Sequence, residues 1–263
     1  MTQLIKGDCL DVMTSLADKS IDVIIADLPY GKTQNNWDKI INPKEMWKQF
    51  NRVIKDNGAI LCFAEPPFNI HLAASNLKMY RYDWVWEKTT VSGFLNCNHS
   101  PMKAHEYILV FYKKLPVYNP EMTKGHKKEV SKASREKCIN SSNYGKVYYR
   151  TAYSSDERYP RSVLKFKSDK QFTQEHSTQK PVALIKYLIQ TYSNPGAAIL
   201  DPTAGSGTTG VACEQLGDRD CILIEKYTYE TVQKRLNEAQ GNVGLFKEAI
   251  CALNQSTFEF NQA

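Results

Sequence analysis

The chain has 263 residues, 42% of them hydrophobic and 24% charged, with a formal net charge of +6. Such a composition excludes fibrous and wholly disordered classes and leaves a soluble globular protein with an ample core, one large domain or two small ones. No stretch approaches the roughly 18 consecutive apolar residues of a membrane span, and the opening MTQLIKGDCLD lacks the basic-then-apolar layout of a secretory signal, so a cytoplasmic protein with no membrane partner is expected.

Taken in chain order, Leu4-Ile5 reads as a short strand and residues 9–17 as helix. Ile21 to Ala26, apolar but for Asp22, is a run of the kind buried in a parallel sheet. It ends abruptly in Asp27-Leu28-Pro29-Tyr30. The following stretch, YGKTQNNWDK, is polar apart from Trp37 and is expected to be a mobile loop. Pro43 opens a helix over 43–55, with apolar residues at 46, 47, 50, 53 and 54. A second apolar run, Ala59 to Ala64, follows Gly58, then a weaker helix over 68–77 and strands at Tyr82–Trp86 and Tyr107–Tyr112. His105-Glu106, just before the last of these, is not expected to carry metal or acid–base chemistry.

Composition changes near Lys113. Residues 113–170 hold 15 Lys and Arg against 6 Asp and Glu, a charge of +9 that leaves −3 for the rest of the chain. A cationic segment of this kind suits a polyphosphate partner. It is Tyr- and Ser-rich, lacks sustained periodicity and reads as an insertion, which divides the chain into 1–112, 113–170 and 171–263. Regular order returns with a helix over 180–193, the strand Ala197–Leu200, a glycine-rich turn, a helix to Leu216, the strand Cys221–Ile224 and a helix over 228–239. The strand–helix alternation implies an α/β, doubly wound, Rossmann-like sheet. The seven cysteines form no CxxC pair, so reduced thiols are expected and no metal.

The glycine turn sits in AILDPTAGSGTTGVACEQLG, residues 198–217. Gly205, Gly207 and Gly210 formally match the GxGxxG fingerprint, and Glu225 stands 20 residues after the first of them. Glycines let a backbone pass close to a cofactor, and a carboxylate at that distance can take two ribose hydroxyls. Asp201, just before the glycines, would repel the pyrophosphate of NAD and attract an ammonium and a sulfonium, which favours S-adenosylmethionine.

Together LDPTAGSGTTG, ADLPY and HSTQKP (176–181) resemble the motifs of the S-adenosylmethionine-dependent amino-DNA methyltransferases: DPxxGSGT, (D/N/S)PPY and a TQKP element. The order, with the catalytic motif first and a basic segment before the cofactor motif, resembles the β group. Leu28 stands where Pro is usual, and Ser177 replaces a Pro. The resemblance implies that Asp27 and the Leu28 carbonyl accept from the two hydrogens of an exocyclic amine. Pro29 would stiffen the turn and Tyr30 would offer a ring face, rather than a hydroxyl, to an extruded base. It implies a cofactor site of Asp27, Asp201, Pro202, Thr203, Ala204, Gly205, Ser206, Gly207, Thr208 and Glu225. Asp8 and Cys9 would hold the adenine, and Thr178, Gln179 and Lys180 would border the methionine end, with Lys180 pairing its carboxylate.

By the same resemblance, Asp at position 27 favours adenine N6 over cytosine N4. The alternatives are an N4-cytosine enzyme and a non-catalytic DNA-binding relic. Cytosine C5 chemistry is disfavoured, because it needs a nucleophilic cysteine, usually after a proline, and no cysteine here follows one. The partner is then double-stranded DNA, with a homodimer and a cognate restriction endonuclease as further candidates. DNA contacts are expected from Lys32 and Trp37 and from Lys124, Lys127, Lys128, Arg135, Arg150, Arg158 and Arg161 of the basic segment.

Overall fold

The computed structural model describes residues 1–132, 137–141, 143, 145–149, 152–167 and 179–241. Contacts divide the chain into a larger unit, 1–119 with 162–263, and a smaller one, 120–161. In the larger unit one eight-stranded sheet runs β1 (Thr2–Lys6), β12 (Asp220–Glu225), β11 (Ala198–Asp201), β2 (Ile21–Asp27), β3 (Ile54–Ala64), β5 (Lys103–Phe111), β4 (Tyr80–Ser92), β10 (Val163–Phe166). The first five are mutually parallel. β5 is antiparallel to both β3 and β4, and β10 lies parallel to β4.

β2 shows why the sheet needs cover on both sides. Its successive side chains point to opposite faces, and the four from Val23 to Ala26 are apolar and buried on both. Val23 and Ile25 enter one core, with Leu184, Leu188, Ala212 and Val232. Ile24 and Ala26 enter the other, with Met13, Met46, Phe50 and Leu72. Helices α1 (Cys9–Met13), α2 (Pro43–Val53) and α3 (Phe68–Ser75) therefore cover one face, and α4 (Val182–Tyr192), α5 (Thr208–Leu216) and α6, described over 229–241, the other. Truncating one such fully buried residue, Ile24→Ala, would cost about 2–5 kcal/mol. No helix among the described residues is long and apolar enough to cross a membrane.

Several boundaries differ from those expected. α1 ends at Met13 rather than 17. α2 stops at Val53, because Ile54 turns extended (φ −72°, ψ 137°) and pairs with Ile21 as the start of β3. Gly58 is then required within that strand, since a Cβ there would stand 2.7 Å from the Asp22 carbonyl. β4 is far longer than Tyr82–Trp86, because its second half is exposed and shows no apolar signal. β10, inside the expected insertion, is a strand of the main sheet.

The smaller unit pairs β6 (Glu129–Lys132) with β9 (Ala152–Ser155) and β7 (Lys137–Ser141) with β8 (Gly145–Tyr149), both antiparallel.

Candidate active site

β2 and β11 are neighbours, yet α2 and α5 that follow them lie on opposite faces of the sheet. Ligands of open α/β sheets bind in the crevice that this reversal opens at the carboxyl ends of the strands. The last residues of the two strands are Asp27 and Asp201.

Asp27 is held on both oxygens. Tyr30 donates its hydroxyl to Oδ1 at 2.9 Å, and the Lys180 ammonium lies 3.0 Å from Oδ2. The Asp27 side chain keeps 32% of its surface exposed while that of Lys180 keeps 10%, so the carboxylate has an open edge and a sealed back. Burial pushes the Asp27 carboxyl up, against the pull of Lys180. Leu28, the departure from the usual proline, buries its side chain in the core beneath α1–α3. The Tyr30 ring packs against Phe68 with centroids 5.1 Å apart. Beside it opens an apolar cavity of about 310 Å³ lined by Pro29, Ile40, Ile41, Met46, Phe68 and Leu72 among others. The hydroxyl of Tyr30 is thus tied into the corner through Asp27, a contact that a reading of the ring alone overlooks.

Behind Asp27 runs a line of alternating charges. Lys180 lies 2.9 Å from Glu106 Oε2 on β5, and Glu106 also pairs with Lys88 of β4. Lys88 reaches Glu65 at 3.7 Å, and Glu65 takes Lys103 at 2.9 Å and Lys32 at 3.2 Å. Burial pushes the Glu65 carboxyl up, but the three lysines outweigh it and hold it at about 2. Lys180, expected to meet a cofactor carboxylate, is engaged by two carboxylates of the chain. Lys32, expected to meet DNA, has its ammonium on Glu65 and on the Pro66 carbonyl. Sequence reasoning dismisses Glu106 and does not single out Lys88. The only signal was charge set directly against each apolar strand, Glu87-Lys88 in WVWEK and Glu106 in HEYILVF, since a charge in such a place needs a partner.

The glycine turn is built as its spacing suggests. Asp201 accepts from Thr203 N–H at 3.1 Å and Thr209 Oγ1 at 2.6 Å, and burial pushes its carboxyl up to about 7. Gly205 (φ +55°) is open: a Cβ there would meet nothing nearer than the Thr203 carbonyl at 3.8 Å. Gly207 (φ +77°) caps α5, and a Cβ on it would stand 2.6 Å from Val232. Gly210 lets α5 close onto Leu223 of β12. Pro202, Ala204, Ser206 and Thr208 are buried along the turn. Glu225 accepts from the N–H groups of Gly205, Tyr227 and Thr228, so ribose hydroxyls would have to share its oxygens with the loops it joins. Asp8 caps α1 through the N–H of Leu10 and pairs with Lys226 at 3.1 Å, a residue with no motif to announce it. Cys9 beside it is half-buried.

This donor set fits S-adenosylmethionine. The strand ends carry the carboxylates Asp8, Asp201 and Glu225, suited to a ligand with two cationic centres. The glycine turn is open at Gly205, and the buried Thr203 Oγ1 and Gln179 Oε1 lack hydrogen-bond partners among the described residues. Thr178 lies outside the described residues. Among the described residues no three His, Cys, Asp or Glu side chains converge as a metal site requires.

The loop after Tyr30 is closed on itself by one carboxylate. Asp38 is buried and accepts from the N–H groups of Gly31, Lys32 and Thr33 at 2.8, 2.8 and 2.6 Å. Trp37 is exposed. In the smaller unit Lys124, Lys127, Lys128 and Arg161 are exposed. Arg158 is committed locally, donating to the Lys127 carbonyl and pairing with Glu129 at 3.0 Å. Arg135 and Arg150 lie outside the described residues.

Residues 21–234 match the family described as DNA methylase, which comprises N6/N4 methyltransferases. The type II methyltransferase M.HinfI of Haemophilus influenzae is 28% identical over 283 residues, covering 92% of this chain and 70% of the relative. The crystal structure of an M1.HpyAVI–SAM complex superposes with a TM-score of 0.60 at 25% identity, covering 90% of this chain and all of that one. The PvuII DNA methyltransferase, cytosine-N4-specific, shares the fold at 14% identity with a TM-score of 0.60, over 91% of this chain and 93% of its own. With the family matched from β2 into α6, across both strand ends that form the crevice, the chain belongs to the N6/N4 DNA methylases.

Proposed function

We propose that the chain transfers a methyl group from S-adenosylmethionine to the exocyclic N6 of an adenine flipped out of double-stranded DNA. DNA methyl transfer is the activity of the family; the choice of adenine is the finer reading. The observation that carries it is the Asp27 carboxylate at the switch point, held from behind by Lys180 and Tyr30 with one edge open. S-adenosylmethionine supplies the methyl group as a reactive sulfonium methyl.

The chain's own residues make the amine receptive. An exocyclic amine is a poor nucleophile because its lone pair is delocalised into the ring. Acceptors aimed at its two hydrogens, the Asp27 carboxylate and the Leu28 carbonyl, draw the nitrogen toward tetrahedral geometry. Each Asp27 oxygen retains a lone pair beyond the one given to Tyr30 or Lys180. Pro29 limits the motion of the corner, and the Tyr30 ring gives the extruded base a stacking surface worth about 1–3 kcal/mol. Most of the acceleration then comes from positioning and from negative charge matched to developing positive charge.

The smaller unit serves target recognition in this reading, with Lys124, Lys127, Lys128 and Arg161 on phosphates or guanine edges. The type II relative supports a restriction–modification setting, in which a cognate endonuclease is the natural partner and a homodimer the candidate assembly. Incubation with tritiated S-adenosylmethionine and mixed-sequence duplex, followed by nucleoside separation, tests the reading. Label at adenine N6 supports it; label only at cytosine N4 transfers the chain to the sister activity.

A further inference from the structure

We propose that Glu106 and Lys180 are positioning residues for methyl transfer, a sealed pair that fixes the aim and the charge of the Asp27 carboxylate from behind. The proposal rests on the function argued above and goes beyond it, because neither residue would touch the base or the moving methyl. Lys180 stands at the head of α4, immediately before its Pro181 cap. Its ammonium lies 3.0 Å from Asp27 Oδ2, 2.9 Å from Glu106 Oε2 and 5.1 Å from the centre of the Phe63 ring. The side chains of Lys180 and Glu106 are 10% and 8% exposed.

Burying a lysine between two carboxylates is costly, and apolar residues of the same volume serve a core at least as well. What apolar residues cannot do is hold the χ2 torsion of Asp27 so that its free lone pairs face the crevice. Tyr30 on one oxygen and Lys180 on the other do this, and Glu106 keeps Lys180 in place from a different strand.

The charged and titratable groups around the trio come from every neighbouring element. Asp27 faces Lys180, Glu106 of β5 and Tyr30 of its own turn, and its charge acts on Asp201 of β11. Glu106 faces Lys180 and Lys88 of β4; beyond them stand Glu65 with Lys32 and Lys103. Burial pushes the Asp27 carboxyl up, Lys180 pulls it down, and Glu106 pushes it up again. The two residues therefore act on Asp27 with opposite sign. Because Asp27 works ionised, activity falls as pH drops through its pKa, and that acid limb reports the pair.

The test compares pH profiles of kcat for the full chain and for Lys180→Met and Glu106→Gln, at saturating cofactor and duplex, with S-adenosylmethionine affinity measured by calorimetry. Lys180→Met should move the acid limb to higher pH by about one unit or more and lower kcat about 10²-fold, the scale of a misplaced catalytic group. Its cofactor affinity should stay within a few-fold. Glu106→Gln, close to isosteric, should move the limb the other way and lower kcat with KM for the cofactor unchanged. A packing role lowers the melting temperature and leaves the limb in place. An unmoved limb, a shift of both variants in the same direction, or a loss of cofactor affinity as large as the loss of kcat in Lys180→Met overturns the proposal while the function stands. A wild-type chain that methylates no duplex overturns the function, and this proposal with it.

Discussion

Replacing Tyr30 by Phe removes one oxygen and nothing else. That oxygen donates to Asp27 Oδ1 at 2.9 Å, while the ring packs on Phe68 with centroids 5.1 Å apart. The ring contact survives the change and the hydrogen bond does not. A hydrogen bond to a charged group contributes about 1.5–3 kcal/mol, and each 1.36 kcal/mol is about tenfold in rate. The methylation rate of Tyr30→Phe should therefore fall roughly 10- to 100-fold. Lys180 still holds Oδ2, so the carboxylate stays in the crevice but swings about the remaining tether. Tyr30→Ala should be slower again, since it also forfeits about 1–3 kcal/mol of base stacking. Single-turnover rates with tritiated S-adenosylmethionine and excess enzyme measure both, and calorimetry checks that cofactor binding is intact. A Phe variant within twofold of wild type would show that the hydroxyl has no hold on Asp27 in the working complex. Equal damage from Phe and Ala would remove the stacking role.

Three further outcomes are expected. Asp27→Ala should abolish methylation and leave cofactor affinity within a few-fold; calorimetry showing binding lost along with turnover would make Asp27 a cofactor ligand instead. Asp201 has a folded pKa of about 7, raised by burial above its ordinary 3.8, so the ligand-free chain loses stability as pH climbs between those values. A cationic ligand favours the ionised form, so affinity for S-adenosylmethionine should rise between about pH 6 and 8, and Asp201→Asn should flatten that rise; a flat wild-type profile contradicts the assignment. Gly207→Ala must place a Cβ at φ +77° and 2.6 Å from Val232. The left-handed conformation costs about 1–2 kcal/mol and the overpacking about 1–3 kcal/mol, enough to lower the melting temperature by several degrees. An unchanged melt would refute the close approach of α5 and α6 at that point.

Much of the site was legible because its chemistry is local. The stretch Ile21 to Ala26, apolar but for Asp22 and rich in β-branched residues, suits a strand buried on both faces, which puts Asp27 at the sheet's carboxyl edge. The spacing of Asp201, Gly205, Gly207 and Gly210 encodes a strand, a turn and a tightly packed helix. What was not legible depends on cross-sheet adjacency. Glu106 and Lys180 are distant in sequence and meet only because β5 lies beside β3 and α4 leads back over the same face. Nothing local announces that Lys226 will reach Asp8 or that Asp38 will gather three backbone N–H groups. The strands of the smaller unit, each four or five residues long, are too short for periodicity to register. The second half of β4 lacks an apolar face that alternation would reveal.

The position of β1 carries a temporal consequence. It is synthesised more than two hundred residues ahead of β12, which among the described residues is its one hydrogen-bonded neighbour in the sheet. Until Asp220–Glu225 has been synthesised, Thr2–Lys6 has no ladder to join, and Asp8 waits for Lys226. Closure of so long a loop comes late, because its entropy must be spent before the contact rewards it. Assembly should therefore begin among β2, β3, β5 and β4, with the N-terminal strand docking last, and a nascent chain released early would hold Asp27 at a bare sheet edge and no place for the methyl donor.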